Sequence, residues 1–169
     1  MRRLRVALVL IGLVLVLAAA NHTIWSKQRI VDHGHQVLLP LRPVDPRSLI
    51  QGDYMILALA REAMPLKPED LPRRGHVILG LDEHGVGRFL RMDDGMVLAP
   101  NELRVAYKRA GHSGAAEISY GADSFFFQEG DAELYTAARY AVVHVDADGG
   151  TVLVGLADAE RRRIVKPAP

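Results

Sequence analysis

His33 and His35 are two imidazoles on either side of Gly34, and histidines this close can share a face and ligate a metal ion. No further ligand is placed by spacing, and the intervening glycine favours a turn, so the expectation is no metal site. Gly111-His112-Ser113-Gly114 resembles the opening of an esterase nucleophile elbow. However, Ala115 stands where the closing glycine belongs, and a β-like segment follows where that mechanism needs a helix. Asp123, Glu129, Asp131 and Glu133 form a run of acids, and paired carboxylates divide acid and base roles when their environments differ. Asp131 and Glu133 already suit the first turn of a helix, where acids offset the helix dipole. Glu129, close behind Phe125, Phe126 and Phe127, is the acid to retain. The three phenylalanines are expected in the core. A serine mechanism needs a base and an oxyanion hole, and neither is in view.

The elements that must position these groups are short. From Lys27 onward the chain reads in period-two segments broken by turn residues, the mark of strands with one wet face. Arg29-Ile30-Val31-Asp32 and His35 to Leu41 read as a hairpin about His33-Gly34, and Tyr54 to Ala60 as an apolar strand. Three prolines between Glu62 and Arg74 predict a loop. Val77, Leu79 and Leu81 alternate, turn at Glu83-His84-Gly85, and return from Val86 to Met92. Two more strands carry Leu103, Val105 and Tyr107, then Ala116, Ile118 and Tyr120. Asp131 to Arg139 predicts a helix with Leu134, Tyr135 and Ala138 on one side. Asp146-Ala147-Asp148-Gly149-Gly150 joins two final strands, Tyr140 to Val145 and Thr151 to Leu156, as a hairpin. Many short strands with one short helix predict a mainly β fold, a small antiparallel barrel or sandwich.

Before that domain stands an apolar N-terminus. Arg2, Arg3 and Arg5 precede an uncharged run from Val6 to Ala20, and Ile24 and Trp25 resume its apolar character. A cleaved signal peptide also begins with a basic stretch, and Ala18 and Ala20 would suit the cut. Length and flanks favour a transmembrane helix over residues 6–25, with Trp25 at the interface and Lys27 and Arg29 outside. Either way the rest of the chain is exported, because the arginines stay on the cytoplasmic side. The expected organisation is an anchor at 1–25, a β domain at 26–160 and a charged, solvated tail at 161–169. With 169 residues and a formal net charge of +1, there is room for one such domain and no case for nucleic-acid binding. Cysteine is absent, which removes disulfides and thiolate chemistry.

The stretch from Pro43 to Tyr54 has a purely structural explanation. Asp45 can cap one helical turn, Pro46 suits its first position, and Gly52 can close it in a left-handed conformation. Leu49 and Ile50 would pin the turn, and Asp53 would open the next strand within reach of Arg47. The residues that follow, Gly52-Asp53-Tyr54-Met55-Ile56-Leu57-Ala58-Leu59, resemble the motif of the GDYXXLXY family of bacterial membrane-anchored proteins. Pro-Val-Asp-Pro-Arg before it fits, and Ser124-Phe125-Phe126-Phe127-Gln128-Glu129-Gly130 is similar to a second family block. Together the likeness runs from about residue 35 to 156. The final motif tyrosine is Leu59 here, which leaves that position an apolar packing role.

What the resemblance implies is a chain of the bacterial inner membrane, with one span and a periplasmic domain, accompanying a multi-spanning membrane protein. It implies no activity and no cofactor. Asp45, Pro46, Arg47, Gly52, Asp53, Tyr54, Leu57, Glu129 and Gly130 are then motif residues with structural roles. The function expected is a non-catalytic binding or accessory module, and the alternative is an envelope enzyme using carboxylates near Asp53 and Glu129.

Overall fold

The structure, a computed structural model, describes residues 2–42, 54–112, 115–128 and 130–166. Among the described residues, it opens on a long helix, α1 (Arg2–His33), and continues through nine strands. These are β1 (His35–Pro40), β2 (Tyr54–Ile56), β3 (Arg74–Leu81), β4 (Gly87–Met92), β5 (Glu102–His112), β6 (Ala115–Ser119), β7 (Ser124–Phe126), β8 (Tyr140–Val145) and β9 (Thr151–Ala157). One four-residue helix, α2 (Ala132–Tyr135), lies between β7 and β8.

All named strand pairs are antiparallel, in the orders β4-β3-β5-β6, β1-β8-β9 and β2-β7. The mainly β class expected from the alternation is therefore found, and the sheets curl into a half-barrel. Alternate residues of each strand point inward, as a pleated strand requires. Val37 and Leu39, Val77 and Leu79, Val105 and Tyr107, Ile118 and Tyr120, Val143 and Val145 make one buried cluster with Leu57, Leu59 and Leu156. Burying a side chain of this size contributes about 1.5 to 3 kcal/mol, so this cluster is the main source of the domain's stability. Leu59 is 7 % exposed, the packing role expected where the motif has tyrosine.

Two expectations are corrected. Residues 29–33 form no strand: α1 runs on through them and the hairpin is absent. Extending a formed helix costs little, and no breaker precedes Gly34. The helix is also tied locally, by Gln28 to Asp32 at 2.9 Å and by the Arg29 guanidinium 5.0 Å from the Trp25 ring. Phe126 is 73 % exposed, because strand alternation turns it away from the side on which Phe125 packs against the core. The Arg161 to Arg163 run is exposed, as expected, and the tail is also tied to the domain. Arg163 bridges to Ala157, Ile164 packs on the core, and the Lys166 ammonium lies 2.9 Å from the Asp131 carboxylate. Asp158 accepts the Arg162 N–H at 2.9 Å, which holds its carboxyl below the usual range.

The other elements differ in extent. The proline-rich loop contains two 3-10 turns, Arg61–Ala63 and Pro68–Asp70. The predicted helix from Asp131 is only α2, and Asp131 makes no side-chain cap there.

Candidate functional site

The described part of the sequence motif and two hollows of the surface fall in different places. Tyr54 pairs with Phe126, Met55 with Phe125 and Ile56 with Ser124, so β2 and β7 bring the two signature blocks together as one ribbon. The Tyr54 and Phe126 rings stand 5.6 Å apart. Leu57 is buried and its N–H donates to the Asp123 carbonyl at 2.9 Å. Gly130 has φ +89°, the left-handed region that suits glycine, in the turn before α2. Asp45, Pro46, Arg47, Gly52, Asp53 and Glu129 lie outside the described residues, as do Ser113 and Gly114. Gly111 and His112 end β5 and pair with Ala116 and Ala115 of β6, so the next described element is a strand rather than a helix. Among the described residues, no three histidines or acids are grouped to hold a metal.

The concave surface lies where α1 meets the sheets. Gly34 alone separates α1 from β1. Its N–H donates to the Ile30 carbonyl at 2.8 Å, and a Cβ on Gly34 would stand 2.4 Å from that oxygen. Ile30 is buried. The Val31 carbonyl is 2.7 Å from Nδ1 of His144 on β8, and since a carbonyl only accepts, Nδ1 carries the proton. The helix end is thus fixed to the domain by packing and by the His144–Val31 hydrogen bond.

Two hollows flank this joint. One, of about 570 Å³, lies between Trp25, Arg29 and His33 of α1 and the Asp146–Asp148 turn. The other, of about 460 Å³, is lined by Lys27 of α1, Arg74 and His76 of β3, Lys108 of β5, and Ser119 and Thr151. The β8–β9 turn closes one side by docking on β5, where the Ala106 N–H donates to the Gly149 carbonyl at 2.8 Å. Tyr107 and Tyr120 lie beneath, and burial pushes both phenols above their usual value.

Register fixes the electrostatics of the outer sheet face. Arg91 on β4 pairs with Glu102 at 2.8 Å and Asp94 at 2.9 Å, and Arg104 on β5 pairs with Asp93 at 2.8 Å. The Gly95 N–H, and then Arg104, hold the Asp93 carboxyl below the usual range. Farther along the face Arg74 stands opposite Lys108 on the neighbouring strand. In the sequence Lys27 stands out only as a charge beyond the apolar run, and Arg74, His76 and Lys108 do not stand out as binding groups. The only relevant signal there was the polar half of the β5 alternation, which shows a wet face but not which strands lie beside it.

Compared with protein families, residues 16–156 match the family described as GDYXXLXY protein. The chain belongs to the GDYXXLXY family. That match spans α1 from its apolar middle to the end of β9, so it covers the helix–domain joint, the signature ribbon and the basic hollow alike. Comparison with the curated proteins and with the solved structures returns no match.

Proposed function

We propose that this GDYXXLXY protein is a single-pass inner-membrane protein whose periplasmic β domain binds or supports a multi-spanning membrane partner without catalysing a reaction. The observation that carries this reading is α1. Its span Val6–His33 is 28 residues long and apolar enough to cross a membrane, and none of its most apolar stretch is buried against the protein. About 20 apolar residues suffice to cross the hydrocarbon layer, so the remaining turns can stand clear of it and reach the domain. Arg2, Arg3 and Arg5 favour a cytoplasmic N-terminus and hence an exported domain. Fractionation of cells expressing a C-terminally tagged chain, with protease protection and N-terminal sequencing, tests this. The expected product is membrane-bound and uncut, with a domain cleaved only from the periplasmic side. A soluble product beginning at Asn21 overturns the anchor.

A second reading, an envelope enzyme using Asp53 and Glu129, draws support from the β2–β7 pairing, because these acids border the paired segments in sequence. Asp53→Asn and Glu129→Gln separate the two readings. The accessory role expects lower stability or weaker capture of a membrane partner. Loss of a chemical turnover with stability and capture intact favours the enzyme.

A further inference from the structure

We propose that the hollow between α1, β3 and β5 binds the phosphoryl group of an anionic ligand, either a phospholipid headgroup or a free phosphate. The argument begins with a contrast within one sheet face. Arg91 and Arg104 are each answered by acids at ion-pair distance. Arg74 and Lys108, on the two central strands β3 and β5, directly oppose one another instead. Like charges opposite each other on paired strands destabilise a sheet. No ion pair or side-chain hydrogen bond offsets this for Arg74, Lys108 or Lys27 among the described residues.

The surroundings supply further donors. His76 shares the β3 face with Arg74 and lines the hollow beside it. Ser119, paired with Lys108 across β5 and β6, accepts the Gly121 N–H at its Oγ and so keeps its own proton to donate. The nearby turn acid Asp146 directs its carboxylate into its own turn, accepting N–H groups of Asp148 at 3.0 Å and Gly150 at 2.7 Å. A concave site of about 460 Å³ with three full cations and a free hydroxyl calls for a ligand rich in acceptors and negative charge. A phosphoryl group offers more acceptor oxygens than a carboxylate, and charge-assisted bonds to it are strong.

The two sources share that chemistry. The lipid source rests on the anchored reading: Lys27 lies two residues beyond Trp25, so a spanning α1 sets the hollow beside the headgroups. Binding of free phosphate does not depend on that reading, and fractionation reports on the anchor separately.

The test uses the full chain in an uncharged detergent at low ionic strength. Calorimetry measures binding of inorganic phosphate, short-chain phosphatidylglycerol and short-chain phosphatidylcholine. The variants are Arg74→Gln/Lys108→Gln and, as a control that removes one charge at an exposed position on β4, Arg88→Gln. In the unaltered protein, the ring resonances of His76 and of the remote His84 are followed, with His76→Gln providing the assignment. The expectation is binding that the double variant weakens by about tenfold per lost cation, that Arg88→Gln changes less than twofold, and that moves His76 but not His84. Binding of inorganic phosphate identifies a free-anion site, and binding of phosphatidylglycerol alone identifies a headgroup site. The proposal is overturned if neither anion binds, if phosphatidylcholine binds as well as phosphatidylglycerol, if both variants behave alike, or if His76 does not respond. The histidine readout decides the matter even if the double variant fails to fold.

Discussion

A phenol sealed from water needs a partner for its hydroxyl, and Tyr120 donates its proton to the Ala63 carbonyl at 2.7 Å. This bond ties the end of the inner sheet to a 3-10 turn 57 residues earlier. Burial favours the neutral phenol and pushes its pKa far above the usual value. The sign follows from linkage: the stabilisation is fully present below the unfolded phenol's pKa of about 10 and is lost as pH rises beyond it. Tyr120→Phe is expected to lower stability at neutral pH by about 1 to 3 kcal/mol, because the Ala63 carbonyl is left without its donor. It should also make the alkaline loss above about pH 10 shallower, with Tyr107 retaining part of the slope. Denaturant midpoints at neutral and alkaline pH measure both effects. The inward position of Tyr120 was legible from its alternation with Ser119 and Ile118. Its partner was not, because a bond across 57 residues leaves no trace in local spacing.

Among the elements, the β8–β9 hairpin shows how far a local pattern reaches. Asp146-Ala147-Asp148-Gly149-Gly150 announced the turn, and the Asp146 carboxylate and Gly149 at φ +83° build it. What the pattern could not announce is that the turn lies on β5. A Cβ on Gly149 would stand 2.9 Å from the Ala106 nitrogen, the donor that holds the hairpin there. Gly95 is an internal control, with φ +78° and open space around the missing Cβ. Gly95→Ala should cost about 1 to 2 kcal/mol, the backbone strain alone. Gly149→Ala should cost clearly more, since it combines that strain with a clash against β5, and denaturant melts of the two variants measure the difference. Equal losses would mean that the docking adds little. The continuation of α1 through Arg29 to His33 was hidden for a related reason. Two adjacent apolar residues between charges fit a strand as well as a helix, and the preceding helix decided between them.

At the scale of the whole chain, the long apolar N-terminal segment, the β class and most strands were legible in the sequence, because they rest on composition and period. The basic hollow was not. Its cations come from α1, β3 and β5, and the register between β3 and β5, which no single segment encodes, decides that Arg74 meets Lys108 rather than an acid. The single-glycine joint between α1 and β1 bears on the domain's compass bearing. A helix advances about 100° and about 1.5 Å per residue, so if α1 spans the membrane as proposed, a rigid joint makes the domain's heading in the membrane plane a matter of counting. One alanine inserted between Ala20 and Asn21 should swing the domain by about 100°, whereas seven return it to within about 20° of its first heading, though farther from the bilayer. If the partner meets one side of the domain, capture from membranes should fail with one inserted alanine and recover in part with seven. Equal capture by both would mean that the partner does not sense the heading. The length of the anchor would then set an azimuth as well as a depth.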